Sequence, residues 1–427
     1  MRISLTLQTN QRSILNGSWK VIERLGLTLE SWKKNLLIIC IAEFTVLMGF
    51  GFCMPFIPLY IQQLGNYTPE QASLWAGIAT GGSGIAMFLS APLWGLVADR
   101  FGRKPMVLRA QFGAGLVVAL MGLSTSILQV SGLRVMQGIL AGTVPAATAL
   151  AAAQTPRERL TFSMAMVLLS VQLGNMFGPV FGGFMADHFS IKLTFFIAAA
   201  LLVSGGFAVL FLVKEKFVRP EQGKAGTLKD MFHLAFSRQM LPLLIVMCAI
   251  NIGPQMIGPI IPLLINSISH QGEAASSAGI TFAIMGGFTA IAAFVTSRIA
   301  RRVPLIKIII FCCIGTACLY IPPYFAQSVP QLIILVGITG LMTGGLATAS
   351  NTMIGYSVPV AQQGIAFGLG QSANALGGGL GPFIGGTVGS TLGLRWVFPI
   401  GAALFATVAI VVTKVLGKRQ LGPGLRK

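Results

Sequence analysis

The chain has 427 residues, of which 54% are hydrophobic and only 10% charged, and its mean hydropathy is +0.79. A soluble globular domain carries about 25% charged residues, so most of the surface of this chain has to face lipid. The net charge of +19 does not indicate a nucleic-acid partner, because the basic residues form no domain interleaved with aromatic residues.

Apolar runs of about 20 residues, the length that a helix needs to cross a bilayer, recur along nearly the whole chain. They do not alternate polar and apolar residues as the strands of a membrane barrel do. We therefore predict an all-α membrane protein with twelve transmembrane helices in two six-helix halves. The predicted spans lie near 35–60, 73–97, 105–127, 129–153, 163–186, 191–213, 241–265, 277–297, 304–324, 331–353, 364–388 and 393–413.

The polar segments between these spans divide the chain into five parts. They are a cytoplasmic leader (1–34), a first half (35–213), a central cytoplasmic loop (214–240), a second half (241–416) and a cytoplasmic tail (417–427). We expect no cleavable signal peptide, because the first apolar run is of full spanning length. The leader fits either an amphipathic helix on the membrane surface or a disordered tail.

Basic residues are distributed unevenly between the two sides of the membrane. With the N-terminus in the cytoplasm, all 30 Lys and Arg residues lie on cytoplasmic segments or at their helix ends except Lys192, Arg395 and Arg134. This is the positive-inside bias of membrane proteins. It predicts that both termini and the central loop are cytoplasmic.

Cofactor and enzyme chemistry have little support in the sequence. All six cysteines lie in apolar runs, and they show neither a CxxC nor a Cys/His spacing, so we expect no metal and no disulfide framework. The sequence has three histidines, no His/Asp/Ser constellation and no phosphate-binding glycine loop. We therefore expect no cofactor and no enzymatic activity.

Three short segments of the first half recur in the second half at an almost constant distance. The matching pairs, 203 or 204 positions apart, are Pro55–Ile61 with Pro259–Ile265, Gly178–Gly183 with Gly381–Gly386, and Pro156 with Pro359. Several matches at one offset indicate two parallel six-helix repeats.

The loop after the second predicted span combines two glycines with a cluster of charges. Its residues are Gly95, Asp99, Arg100, Gly102 and Arg103, followed by Lys104. The pattern resembles the signature loop of the major facilitator superfamily. The resemblance implies the major facilitator fold and a role for Asp99 in holding the cytoplasmic side closed, with the glycines permitting a sharp, closely packed turn. The alternative is that Asp99 and its neighbours are ordinary topology charges.

The fifth predicted span contains glycines four residues apart around a proline. The residues are Gly174, Gly178, Pro179, Gly182 and Gly183, and their repeat counterparts in the eleventh span are Gly381, Pro382, Gly385 and Gly386. Small residues at this spacing let helix backbones approach closely, and proline removes a backbone hydrogen bond. The pattern resembles the signature of the drug:proton antiporters of the superfamily, which implies export. General helix packing is the alternative.

Two charged residues lie well inside predicted spans, away from the span ends. Glu43 lies about eight residues from the inner end of the first span, roughly 12 Å deep at 1.5 Å per residue. On physical grounds it is the candidate proton carrier, and a permanently protonated structural carboxyl is the alternative.

Arg134 is the second charged residue well inside a span. With Gly138 it resembles the membrane-embedded Arg-x-x-x-Gly element of the superfamily, which implies a role in proton transfer. An arginine at this depth costs at least ~2.5 kcal/mol on insertion scales, unless it reaches the outer interface. Because Arg134 and Glu43 lie at different depths, they need not touch.

Residues 35–415 resemble bacterial multidrug and tetracycline efflux proteins, and Met54–Gly65 resembles their MdtG branch. The resemblance implies proton-coupled export of small amphipathic or lipophilic compounds by a monomer in the bacterial inner membrane. Amides in the spans could line the cavity. They are Gln172, Asn175, Asn251, Gln255, Gln371 and Asn374. The alternatives are a dedicated exporter of one metabolite, such as a siderophore, and a proton-coupled nutrient symporter.

Overall fold

The computed structural model describes residues 31–215, 233–237, 240–269, 273–357 and 363–416. Within these ranges the chain is helical, has no strand, and forms twelve spans. Spans 1 to 6 are Ser31–Cys53 with Ile57–Gly65, Pro69–Phe101, Arg103–Gly122, Ile127–Leu140 with Thr143–Gln154, Leu160–His188 and Ile191–Leu212. Spans 7 to 12 are Met240–Ile257 with Ile260–Ile268, Ala274–Ile299, Leu305–Tyr320, Val329–Tyr356, Gln363–Thr391 and Val397–Val411.

Eleven of these spans are long and apolar enough to cross a membrane. The remaining one, span 11, has 29 residues and is rich in glycine. The prediction of an all-α membrane protein with twelve transmembrane helices is confirmed. The predicted leader (1–34) lies largely outside the described residues, although span 1 already begins at Ser31. The predicted tail (417–427) lies wholly outside them.

Polar residues in the short loops determine where several spans begin. Thr68 accepts a hydrogen bond from the Gln71 N–H, and the Gln71 side chain accepts one from the Thr68 N–H, which forms a capping box at the start of span 2. Ser126 and Ser190 cap spans 4 and 6 through their hydroxyl oxygens. These caps satisfy backbone donors that would otherwise lack partners at the helix ends.

Three spans are interrupted within the bundle. The breaks in span 1 (Met54–Phe56) and span 7 (258–259) lie at equivalent repeat positions, next to prolines that cannot donate a backbone hydrogen bond. Span 4 breaks at residues 141–142, where Gly142 has a φ of +118°. Only glycine adopts this backbone conformation without strain.

The two halves meet along two pairs of helices. Span 2 packs along span 11, and span 5 packs along span 8. Because each half crosses the bundle six times, Ser31, the end of span 6, the start of span 7 and the end of span 12 lie on one side of the bundle, which we call the terminal face. The other side, with Gly65 and His188, is called the opposite face.

Candidate functional site

The glycines of span 5 pack directly on the backbone of span 1. A Cβ atom built on Gly178 would lie 2.6 Å from the Met48 carbonyl oxygen, and one on Gly182 would lie 2.5 Å from that of Phe52. Gly174 approaches the Phe44 carbonyl in the same way, at 2.8 Å. Any larger residue would force these helices apart, so the motif residues of the sequence form a backbone-to-backbone contact inside the first half.

The same contact recurs in the second half, between spans 11 and 7. A Cβ atom on Gly377, Gly381 or Gly385 would lie 2.5, 2.6 or 2.2 Å from the carbonyl oxygen of Cys248, Ile252 or Met256, respectively. The three contacted residues on span 7 lie 204 positions after Phe44, Met48 and Phe52. The sequence repeat is therefore also a repeat of contacts.

The last glycine of each motif faces the other half. A Cβ atom on Gly183 would lie 2.4 Å from the Ala275 carbonyl oxygen of span 8, and one on Gly386 would lie 2.5 Å from that of Ser73 in span 2. The prolines take part too, since a Cβ on Gly279 or Gly77 would lie 2.2 or 2.5 Å from the carbonyl oxygen of Pro179 or Pro382. Each Gly-Pro motif thus joins its own half to the other.

The face of span 2 that packs on span 11 is covered along only part of its length. Gly77, Gly84, Ala91 and Gly95 follow one another at intervals of seven or four residues and therefore share one face of the helix. Gly77 and Gly84 lie against the backbone of span 11, whereas Ala91 and Gly95 are exposed and a Cβ on Gly95 would meet nothing within 4 Å. The halves therefore touch towards the opposite face and separate towards the terminal face.

Polar contacts between the halves lie at the opposite face. Asp187, at the end of span 5, accepts hydrogen bonds from the backbone N–H groups of Ala275 (3.2 Å) and Ser276 (2.6 Å) in span 8. Asn266 donates to Gln62 at 3.2 Å. No sequence motif marks Asp187, because its partners belong to the other half.

The predicted latch loop has a different acidic partner in this conformation. Gly102, with a φ of +96°, forms the turn between spans 2 and 3. The carboxylate of Glu215 accepts hydrogen bonds from the backbone N–H groups of Arg103 and Lys104, both at 2.9 Å. Glu215 therefore caps span 3, a role that its place in the charged central loop did not reveal.

The remaining residues of the loop take separate positions. Arg103 donates to the Ala149 carbonyl of span 4 at 2.9 Å, and Arg100 lies 5.4 Å from the ring centroid of Phe101. Asp99 belongs to span 2, but its side chain lies outside the described part of the structure. Gly95 lies within span 2 with open space around it and not in the closely packed turn that we expected from the sequence.

Glu43 is completely buried within the first half. Its Oε1 accepts a long hydrogen bond, 3.5 Å, from Nε2 of Gln111 in span 3, and its Oε2 has no partner. Gln111 is also completely buried, and no sequence motif marks it.

Arg134 is 8% exposed and bonds to residues other than Glu43. Its guanidinium donates to Gln137 Oε1 at 2.5 Å and lies 2.8 Å from Met54 Sδ at the break in span 1. Gly138 brings span 4 against span 2, since a Cβ there would lie 2.1 Å from the Ser83 carbonyl oxygen. The two ionisable residues thus occupy separate environments.

The break in span 4 is held by two side chains that the sequence analysis missed. Trp94 Nε1 donates to the Ile139 carbonyl at 2.6 Å, and Arg109 donates to the Ala141 carbonyl at 3.1 Å. The Arg109 guanidinium also lies 3.5 Å from the centroid of the Trp94 ring, within the range of a cation–π interaction. Together they satisfy carbonyl groups that the interrupted helix leaves without partners.

The candidate cavity amides are only partly brought together. Asn251 of span 7 donates to Asn374 of span 11 at 2.7 Å, and Asn374 donates to Gln371 at 3.2 Å. Gln255 lies beside Gly378 of span 11. Gln172 and Asn175 are exposed on span 5, in the other half.

Twelve spans in two repeated halves, joined by close glycine contacts, define a polytopic membrane transporter of the alternating-access type. The chain belongs to the Major Facilitator Superfamily, whose family model matches residues 39–327 and 306–424.

Two relatives indicate which members of the superfamily this chain is similar to. The multidrug resistance protein MdtG of Klebsiella pneumoniae (strain 342) is 31% identical over 385 residues, which cover 90% of this chain and 93% of that protein. MdtG of Escherichia fergusonii is 32% identical over 376 residues, covering 88% and 92%. This chain is thus similar to MdtG over nearly the full length of both.

Solved structures share the fold at low sequence identity. The nucleoside transporter NupG superimposes with a TM-score of 0.74 at 14% identity, covering 89% of this chain and 98% of that one. A bacterial homolog of the human lysosomal transporter Spinster, inward-facing and unoccupied, gives a TM-score of 0.74 at 14% identity, covering 93% and 100%. At this identity the similarity concerns the fold alone.

Proposed function

We propose that this chain exports small amphipathic or lipophilic compounds in exchange for protons, by alternating access in the bacterial inner membrane. The observation that carries the proposal is the similarity to MdtG, a multidrug resistance protein, over 90% of the chain. The Gly-Pro motifs support it, because Gly183 and Gly386 place them at the contacts between the halves.

The positive-inside distribution of Lys and Arg supports a cytoplasmic terminal face and cytoplasmic termini. With that orientation, the contacts of Asp187 and Gln62 close the outer side, and the exposed Gly95 faces the cytoplasm. The structure then corresponds to the conformation that receives substrate from the cell. Closing the cytoplasmic side would bring the Gly95–Arg103 loop, with Asp99, against the second half.

Proton coupling is assigned to the first half. Glu43 loads a proton from outside and releases it inside, while Arg134 adjusts this step through its charge. The uncharged amides Asn251, Asn374 and Gln371 suit neutral or cationic amphipathic ligands, because they offer hydrogen bonds without a fixed charge. The chain acts as a monomer in lipid, with a small-molecule substrate and protons as its only partners, and it is a transporter and not an enzyme.

The proposal is tested by measuring proton movement in inside-out vesicles against a panel of lipophilic cations. We expect proton release from vesicles carrying the wild type, its loss in Glu43→Gln, and its retention in the matched control Glu70→Gln, which alters an exposed acid at the start of span 2. Coupling that survives in Glu43→Gln would remove Glu43 from the mechanism. No response to any compound would favour a dedicated metabolite exporter or a nutrient symporter.

A further inference from the structure

Glu43 and Gln111 form an isolated polar pair between spans 1 and 3. Both side chains are 0% exposed. The Gln111 Nε2 atom donates to Glu43 Oε1, and the other oxygen of each group, Glu43 Oε2 and Gln111 Oε1, has no hydrogen-bond partner. Two buried acceptors therefore lack a donor at the same place, which is costly in the interior of a protein.

The surroundings of the pair offer no substitute donor among the described contacts. One turn towards the terminal face, Ile39 and Val107 belong to a buried apolar cluster. One turn towards the opposite face, Val46 and Ala114 are equally buried. The titratable side chain one turn before Glu43 on the same span is the buried thiol of Cys40.

We infer that Gln111 holds Glu43 in its neutral form through two hydrogen bonds that close a ring: Gln111 Nε2–H to Glu43 Oε1, and Glu43 Oε2–H to Gln111 Oε1. An ionised carboxylate is an acceptor only, so it would leave both unpartnered oxygens without a donor. A single proton on Oε2 removes the buried charge and supplies the missing donor. The opposite orientation of the amide would place two acceptors face to face and needs the same proton.

This inference rests on the proposed function and gives it a further positioning residue. Deprotonation breaks one bond of the ring and leaves an acceptor facing a charge. The proton can therefore leave only when span 1 moves away from Gln111 or when water enters between spans 1 and 3. Gln111 thereby couples the release of the proton to a movement of span 1.

The first test is infrared difference spectroscopy on the purified full-length protein in lipid. We expect a protonated carboxyl C=O band that disappears in Glu43→Gln and moves to higher frequency in Gln111→Leu, because the C=O group loses its donor. The matched control is Ser170→Ala, which removes a hydroxyl of span 5 that donates to the Met166 carbonyl and leaves the ring intact, so the band stays in place. The absence of such a band, or a band that Gln111→Leu does not move, would overturn the inference.

Thermal unfolding provides a second test that does not depend on the folding of Gln111→Leu. Glutamine at position 43 can form the same two bonds with Gln111, so Glu43→Gln should unfold close to the wild-type temperature, whereas Glu43→Leu should unfold at a lower one. If Glu43 were instead charged and unpaired, both substitutions would raise the unfolding temperature, and the inference would fail. The two experiments can also separate this inference from the proposed function. If the ring is confirmed but vesicles carrying Glu43→Gln still exchange substrate for protons, Glu43 is not the proton carrier, and the Glu43–Gln111 pair still stands.

Discussion

Asp187 joins the two halves by capping a helix that belongs to the other half. Its Oδ2 atom lies 2.6 Å from the backbone nitrogen of Ser276, in the first turn of span 8. A carboxylate at a helix N-terminus satisfies free N–H groups and interacts favourably with the helix dipole. This contact exists only while the opposite face is closed, so it stabilises the conformation seen here.

Substituting Asp187 by Asn should shift the conformational equilibrium towards an open opposite face. The charge at the helix terminus is worth about 1 kcal/mol, which corresponds to roughly a fivefold change in population. Distances between spin labels on spans 5 and 8 at this face would measure the shift. Glu70→Gln, at the start of span 2, is the matched control, because Glu70 caps no helix of the other half. An unchanged distance distribution in Asp187→Asn would contradict the prediction.

Substituting Gly77 by Ala should also open the opposite face. The added methyl group would lie 2.5 Å from the Pro382 carbonyl oxygen, across the contact between spans 2 and 11. Overpacking of this kind costs about 1–3 kcal/mol, and the cost disappears when the halves separate. Cysteine labelling at the opposite face would detect the change.

Gly178→Ala is the control for that experiment, because its methyl group would clash with Met48 inside one half. We expect it to lower the unfolding temperature without changing the labelling pattern. Equal labelling in the two variants would show that the contact between spans 2 and 11 does not control the opening.

Substituting Gly95 by Leu should trap the conformation described here. The side chain has room because nothing lies within 4 Å of its Cβ position, but it would obstruct packing when the terminal face closes. We expect a folded protein with normal thermal stability and little transport. Gly132→Leu on span 4 also extends into open space and should transport normally. Normal transport by Gly95→Leu would show that this part of span 2 stays uncovered throughout the cycle.

Trp94 should contribute to stability through the break in span 4. Trp94→Phe removes the donor to the Ile139 carbonyl but keeps an aromatic ring beside Arg109, so we expect a loss of about 1 kcal/mol. Trp94→Leu removes both interactions and should cost more. Chemical unfolding of the two variants in detergent would rank them, and equal stabilities would exclude a contribution from the ring.

Much of the fold could be predicted from the sequence, because hydropathy and internal repeats can be read directly from the order of the residues. Apolar runs located the twelve spans, and the prolines at 55 and 259 lie where spans 1 and 7 are interrupted. The break in span 4 was not predicted. A single glycine with a positive φ, Gly142, looks in a sequence like any other membrane glycine.

The candidate site was less predictable, because its contacts join distant parts of the chain. Asp187 and Ser276 belong to different halves, and Glu215 meets Arg103 across more than a hundred residues. Gln111 carries no motif, and its importance follows only from its position opposite Glu43. The surroundings of Gly95 depend on the conformation, which a sequence does not specify.

Where Gly77, Gly183, Gly279 and Gly386 lie, the two halves meet through their backbones. Side chains elsewhere in the bundle can therefore change without altering the surfaces on which the halves rock. The contacts that guide the movement of the halves are then separate from the residues that select the substrate. If the amides on spans 7 and 11 bind substrate, as we propose, their mutation would give related chains new substrates while the movement itself stays the same.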